Sequence, residues 1–164
     1  MRLEDFIDKK RKSKIALITA CGAKKKSSPM EAYRLYFSSR IKAVYNRRSF
    51  CDMYILSAQY GLVEAHQVIK PYNRVMDEKR ALELVPSVVE IIQNYGIVIF
   101  FKGGARKAYL SCVKEASKSA SIILITFGYA NMGGINDLSK IIASVDQGNL
   151  EKIREIKHAN VYFF

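Results

Sequence analysis

Acidic residues are scarce in this 164-residue chain: 15 Asp and Glu stand against 27 Lys and Arg, a formal net charge of +12. Such a surface attracts polyanions, because neutralising phosphates releases condensed counterions. The competing account is general solubility, since many small basic proteins bind nothing specific. Cysteine is equally sparse. Cys21, Cys51 and Cys112 are odd in number and widely spaced, which fits neither a disulfide framework nor a Cys-x-x-Cys zinc site. With His66 and His158 as the only imidazoles, neither a metal nor another cofactor is expected. No apolar run approaches the roughly 20 residues of a membrane span. The first five residues also lack the apolar stretch of a signal peptide. These absences lead to the expectation of a soluble, cytoplasmic protein with reduced thiols and no membrane partner.

What the chain does hold is enough apolar material for a core. Hydrophobic residues make up 49% of it and the mean hydropathy is −0.04, which argues against disorder. The length suits one domain spanning residues 1–164, of which 1–13 read as a basic N-terminal extension. Cations gather at Lys9-Lys10-Arg11-Lys12 with Lys14, at Lys24-Lys25-Lys26, at Arg47-Arg48, and at Lys102, Arg106 and Lys107.

Four runs read as strands: 15–21, 53–57, 97–101 and 122–125. The first is continuously apolar, as a central parallel strand buried on both faces should be. Helices fall between them. Ser38 or Ser39 caps one carrying Ile41 and Val44, and Asp77 caps another that Pro86 must kink or split. Gly103-Gly104 turns into a helix with Tyr109, Cys112, Val113 and Ala116 on one face. Asn136 or Asp137 caps a helix with Leu138 and Ile141 inward, and Leu150, Ile153 and Ile156 mark the last. The apolar tail from Val161 to Phe164 is expected as an edge strand or a homodimer contact. Alternating strands and helices predict an α/β fold with a parallel sheet covered on both faces.

Ligands of open α/β sheets bind beyond the carboxyl ends of the strands, where strand order reverses. Every unusual segment falls at such an end. The first strand delivers Cys21, Gly22 and three lysines; the second delivers Ser57, Tyr60 and Gly61. The third delivers Gly103 and Gly104, and the fourth a loop holding Asn131. Gly103-Gly104 could offer backbone N–H groups to an anion or simply form a tight turn. Lys25 could bind phosphate or act as an amine nucleophile, against the plainer account of a solvated loop lysine. Cys21 closes a buried strand, although flanking cations would favour its thiolate. Tyr36, Tyr60 and Tyr72 could stack on bases or be ordinary part-buried residues. No His or Asp near Cys21 completes a nucleophile–base pair, and Glu31, Glu64 and Asn131 are the candidates for an acid or water-positioning group. His66 reads as a solvated loop residue.

The blocks Cys21-x-x-x-Lys25, Ala32-x-x-Leu35-Tyr36-x-Ser38, Leu56-Ser57-Ala58-x-Tyr60-Gly61-Leu62 and Ile69-x-Pro71-Tyr72 resemble a widespread prokaryotic domain family. That family usually reads Pro-Cys-Ser-x-x-Lys at the first block, where this chain has Ala20 and Gly22 in place of the proline and serine. Related patterns occur in YaaA-type peroxide-stress proteins, which are associated with DNA binding, and in a domain of archaeosine synthase, which modifies a tRNA base. The resemblance implies a three-layer α/β/α sandwich similar to the uracil-DNA glycosylase superfamily, with a four-stranded parallel sheet ordered 2-1-3-4. It further implies recognition of a nucleobase or nucleotide, free or in DNA or RNA, with base modification or repair as the associated chemistry. Lys25, Cys21 and Ser57 are the expected catalytic residues. Gly22, Tyr36, Ser38, Tyr60, Gly61, Pro71, Tyr72, Gly103, Gly104 and Asn131 are expected to bind substrate. A non-catalytic stress-response binder and a small-nucleotide hydrolase or transferase are the alternatives.

Overall fold

A computed structural model describes residues 15–164; the expected basic extension at 1–13 lies outside the described residues. The apolar run at the start becomes β1 (Ile15–Ala20), buried along its whole length. After a loop come β2 (Met30–Glu31), α1 (Ala32–Leu35) and α2 (Ser39–Asn46). Of the two candidate caps for α2, Ser38 is used: its Oγ accepts from the Ile41 N–H at 3.2 Å. The chain continues through β3 (Asp52–Ser57), β4 (Gly61–Glu64), β5 (Val68–Ile69) and α3 (Glu78–Ile92). Asp77 caps α3, its Oδ1 accepting from the Arg80 N–H at 2.7 Å. Next are β6 (Ile97–Phe101), α4 (Lys107–Ala120) and β7 (Ile123–Phe127). A 3-10 turn (Ile135–Asp137) leads into α5 (Leu138–Asp146), then α6 (Glu151–Arg154) and β8 (Asn160–Phe163) close the chain.

The fold is α/β, with one six-stranded mixed sheet in the order β4-β3-β1-β6-β7-β8. Neighbours among β3, β1, β6 and β7 run parallel, while β4 and β8 run antiparallel on the two edges. The sheet therefore has six strands where four were expected, and it is mixed where it was expected to be parallel. Both additions lie at edges and are four residues long; β4 is too short to stand out as an apolar run, while β8 is one of the two outcomes expected of the apolar tail. The C-terminal tail is thus an edge strand, register-paired with β7 from Ile123↔Phe163 to Thr126↔Asn160.

Two further expectations need correction. The connection 58–76 is not one long loop: β4 returns along β3, and β5 forms a small ladder with β2. Pro86 does not split α3, which runs as one helix. Pro86 is exposed, as is Leu82 four residues earlier; a carbonyl left without its helical partner on that side meets water instead.

Close packing explains the glycines just beyond β6 and β7. A Cβ on Gly103 would stand 2.6 Å from the Phe101 ring, and one on Gly128 (φ +97°) only 2.3 Å from it. Phe101 itself is completely buried. Here the glycines let two strand ends close over an aromatic ring.

Candidate functional site

The order in which strands are added along the sheet reverses between β1 and β6, which themselves run parallel, and a cavity of about 420 Å³ opens there. Pockets for small molecules commonly run from ~300 to 1,000 Å³. Its walls come from the end of β1 (Cys21, Gly22, Ala23, Lys25), the start of α2 (Phe37, Ser38, Arg40), the segment 73–76 and the start of α4 (Gly104, Ala105, Arg106, Tyr109). Four of these residues are cationic, Lys25, Arg40, Arg74 and Arg106, and none is acidic.

Arg40 is the fixed point. Its Nη2 donates to the carbonyls of Ala20 (3.0 Å) and Cys21 (3.1 Å), and Nη1 to Gly103 (3.4 Å). The guanidinium thereby ties the carboxyl ends of β1 and β6 together at the cavity. Burial lowers its pKa from the ordinary value, while Cys21 and Tyr109 act in the opposite sense. Its Nε is buried and has no hydrogen-bond partner. Position matters as much as charge. Neither α2 nor α4 has an acidic residue in its first turn, and both begin with cations, Arg40 in one and Arg106-Lys107 at the other. A helix N-terminus already carries partial positive charge, so cations there work against the macrodipole. That unfavourable arrangement is offset when an anion sits among them.

Lys25 donates from Nζ to the Ala23 carbonyl at 3.0 Å and stands 4.3 Å over the Tyr72 ring. Its loop is pinned by an antiparallel bridge to Tyr36. So placed, it is an oriented positive charge. The Cys21 sulfur lies 2.9 Å from the Tyr109 hydroxyl. Burial, reinforced by Cys21, pushes the Tyr109 phenol well above its usual pKa. A phenol kept protonated can donate to a thiolate but cannot serve as its base.

The remaining expected residues divide. Gly22, Ser38 and Gly104 line the cavity. Gly103 contributes its carbonyl to Arg40. Asn131 sits beside Gly104, where an added Cβ would come 3.2 Å from its Oδ1. Ser57, Tyr36 and Tyr72 form a layer behind the cavity rather than its wall. Ser57 is fully buried, its Oγ accepting from the N–H groups of Gln59 and Tyr60 to shape the β3–β4 turn. Tyr36 is fully buried too, and its hydroxyl meets that of Tyr72 at 2.7 Å. Burial raises both phenols above their usual pKa, with Cys21 adding to the effect and Ser57 opposing it. Tyr36 therefore has no free face for a base. Tyr60 is edge-on to Tyr72 (5.5 Å), and its hydroxyl donates to the Lys70 carbonyl. Gly61 (φ +76°) starts β4 opposite Ser57, and Pro71 is half-buried next to Tyr72.

Arg40, Arg74, Phe37, Asn73 and Tyr109 were not singled out as site residues from the sequence. Arg40 had a readable signal, a cation inside the first turn of a capped helix. His66 is the exposed turn residue expected of it, and it also has two side-chain partners. Its Nδ1 lies 2.6 Å from Glu31 Oε2 and its Nε2 lies 3.2 Å from the Tyr45 hydroxyl. Glu31 and Glu64 are not among the residues lining the cavity. Among the described residues no cluster of His, Cys, Asp or Glu could hold a metal ion. No helix among them is long and apolar enough to cross a membrane.

The fold and cavity together define an α/β protein with a cationic site at the carboxyl edge of a mixed sheet. Residues 15–95 are similar to a family of unknown function, DUF6884. No curated protein and no solved structure matches the chain.

Proposed function

We propose that this protein binds a phosphorylated nucleotide, free or within nucleic acid, in the cavity between the ends of β1 and β6. The observation that carries the proposal is a lining with four cations and no carboxylate. Arg40 offers phosphate a fixed positive charge, with Nη2 already engaged by two backbone carbonyls and Nη1, whose bond to Gly103 is long, left to donate. Arg74 and Arg106 are exposed at the mouth and supply the electrostatic attraction that draws a polyanion in. Backbone N–H groups at the start of α4 add donors that carry no sequence preference.

The resemblance to base-modifying and DNA-associated proteins fits this reading, as does a three-layer arrangement. α3 packs on α4, while the start of α5 lies near the end of α2, where Arg47 donates to Asn136. Right-handed crossovers put those two pairs on opposite faces of the sheet. If the site is catalytic, Cys21 is the nucleophile at its wall and Tyr109 the donor beside it.

A salt series tests the proposal. Affinity for a single-stranded oligonucleotide should fall as salt rises, with a log–log slope of roughly −2 to −3 if three or four phosphates are neutralised. Affinity for a nucleoside monophosphate should change far less. Failure of both ligands to bind at low salt would overturn the proposal.

A further inference from the structure

Within that reading, the geometry of one loop names the form of nucleic acid. We infer that the ligand is an unpaired nucleotide of a single strand, whose base stacks on Phe37 while its phosphate reaches Arg40. This rests on the nucleotide proposal above and goes beyond it by excluding duplex.

Phe37 lines the cavity yet is 62% exposed, between a completely buried Tyr36 and the capping residue Ser38. Tyr36 and Ser38 both have extended backbone angles, and side chains alternate sides in extended chain. Burying Tyr36 therefore turns Phe37 outward. The platform is also held in place. The Phe37 N–H donates to the Lys24 carbonyl (2.9 Å) and the Lys26 N–H to the Leu35 carbonyl (2.8 Å). Lys26 Nζ stands 5.8 Å from the ring centre. An aromatic ring fixed outward beside cations is the arrangement that binds bases through their π-faces and strands through their phosphates.

Arg40 supplies the second half of the argument. Its guanidinium is recessed, bound to carbonyls at the ends of β1 and β6. Duplex phosphates lie on a convex surface with the bases stacked inside, so they cannot bring a base face to Phe37 and a phosphate to Arg40 at once. A nucleotide free of its stack can.

The chain contains no tryptophan, so Phe37→Trp creates a single fluorescent reporter at the inferred stacking position. A 5′-phosphorylated single-stranded oligonucleotide and adenosine monophosphate should quench it saturably. Inorganic phosphate and the blunt duplex of the same sequence should not. Phe37→Ala should weaken single-strand binding roughly 5- to 150-fold, the range that one base–aromatic stack supplies, and leave phosphate affinity unchanged. Equal single-strand affinity in Phe37→Ala and the natural protein would overturn the inference, as would equal quenching by duplex. If Arg106→Ala then weakened both forms alike, the nucleotide reading would stand without it. If the natural protein bound none of the four probes, both would fall together.

Discussion

Replacing Arg40 with methionine tests whether the site's central cation is also a structural tie. Methionine keeps an unbranched apolar stem and removes the guanidinium. Two hydrogen bonds of good length are lost, to Ala20 and Cys21, together with a marginal one to Gly103. Hydrogen bonds from a charged donor contribute ~1.5–3 kcal/mol each, so the two good ones represent about 3–6 kcal/mol gross. Burial of the charge opposes this, as the lowered pKa of Arg40 indicates, and recovers part of that sum in the variant. The net loss should be about 2–3 kcal/mol. With a urea m-value of ~2 kcal/mol/M for a domain of this size, the unfolding midpoint should fall by about 1–1.5 M at unchanged m. Arg40→Lys keeps the charge but cannot span the same carbonyls with a planar fork, so its midpoint should lie between the two. Both variants should lose nucleotide affinity. A loss under about 0.5 kcal/mol in Arg40→Met, with full nucleotide binding, would refute the reasoning.

Gly128→Ala should destabilise by at least ~3 kcal/mol. Its Cβ would lie 2.3 Å from a buried Phe101 ring at a backbone angle that L-residues avoid; thermal unfolding within a degree or two of the natural protein would contradict that packing. Burial pushes the thiols of Cys51 and Cys112 up to about 12, with Asp52 adding to the effect on Cys51. An unfolded thiol titrates at roughly 8.5. Below that pH both states keep the proton and these groups contribute no pH dependence. Above it the unfolded chain releases protons that the folded one retains, so stability should fall by about 1.4 kcal/mol per pH unit for each thiol. Urea midpoints between pH 8.5 and about 9.3, where tyrosines of the unfolded chain (near 10) are still mostly protonated, measure this slope. Cys112→Ala should halve it, and a flat profile would refute the burial argument.

The sequence was most legible where one physical demand decided the outcome. A strand buried on both faces must be apolar throughout, which made β1, β6 and β7 readable. Asp77 and Ser38 announced helix starts through their capping chemistry. Short edge strands carry no such demand: β4 has four residues with the last exposed, and its pairing depends on β3 being present. At the site, the convergence of loops followed from the parallel topology, but the division of labour among them did not. Tyr36 and Phe37 are adjacent aromatics of similar character, and only the alternation set by the buried Tyr36 decides which one faces the cavity. Ser57 stands in a distinctive block, and its hydroxyl shapes the β3–β4 turn and does not line the cavity. Arg40 is not legible in the same way, because a lone arginine is ordinary until its helix terminus is placed.

Backbone amide shifts recorded during titration with a nucleoside monophosphate test the central claim most directly. Perturbations should concentrate at Gly22, Ala23, Phe37, Gly104, Ala105 and Arg106, with the matching unphosphorylated nucleoside producing far weaker ones. Shifts centred instead on the separate cavity lined by Lys140, Lys152, Lys157, Asp137 and Glu155, or equal responses to both compounds, would contradict a phosphate site between β1 and β6.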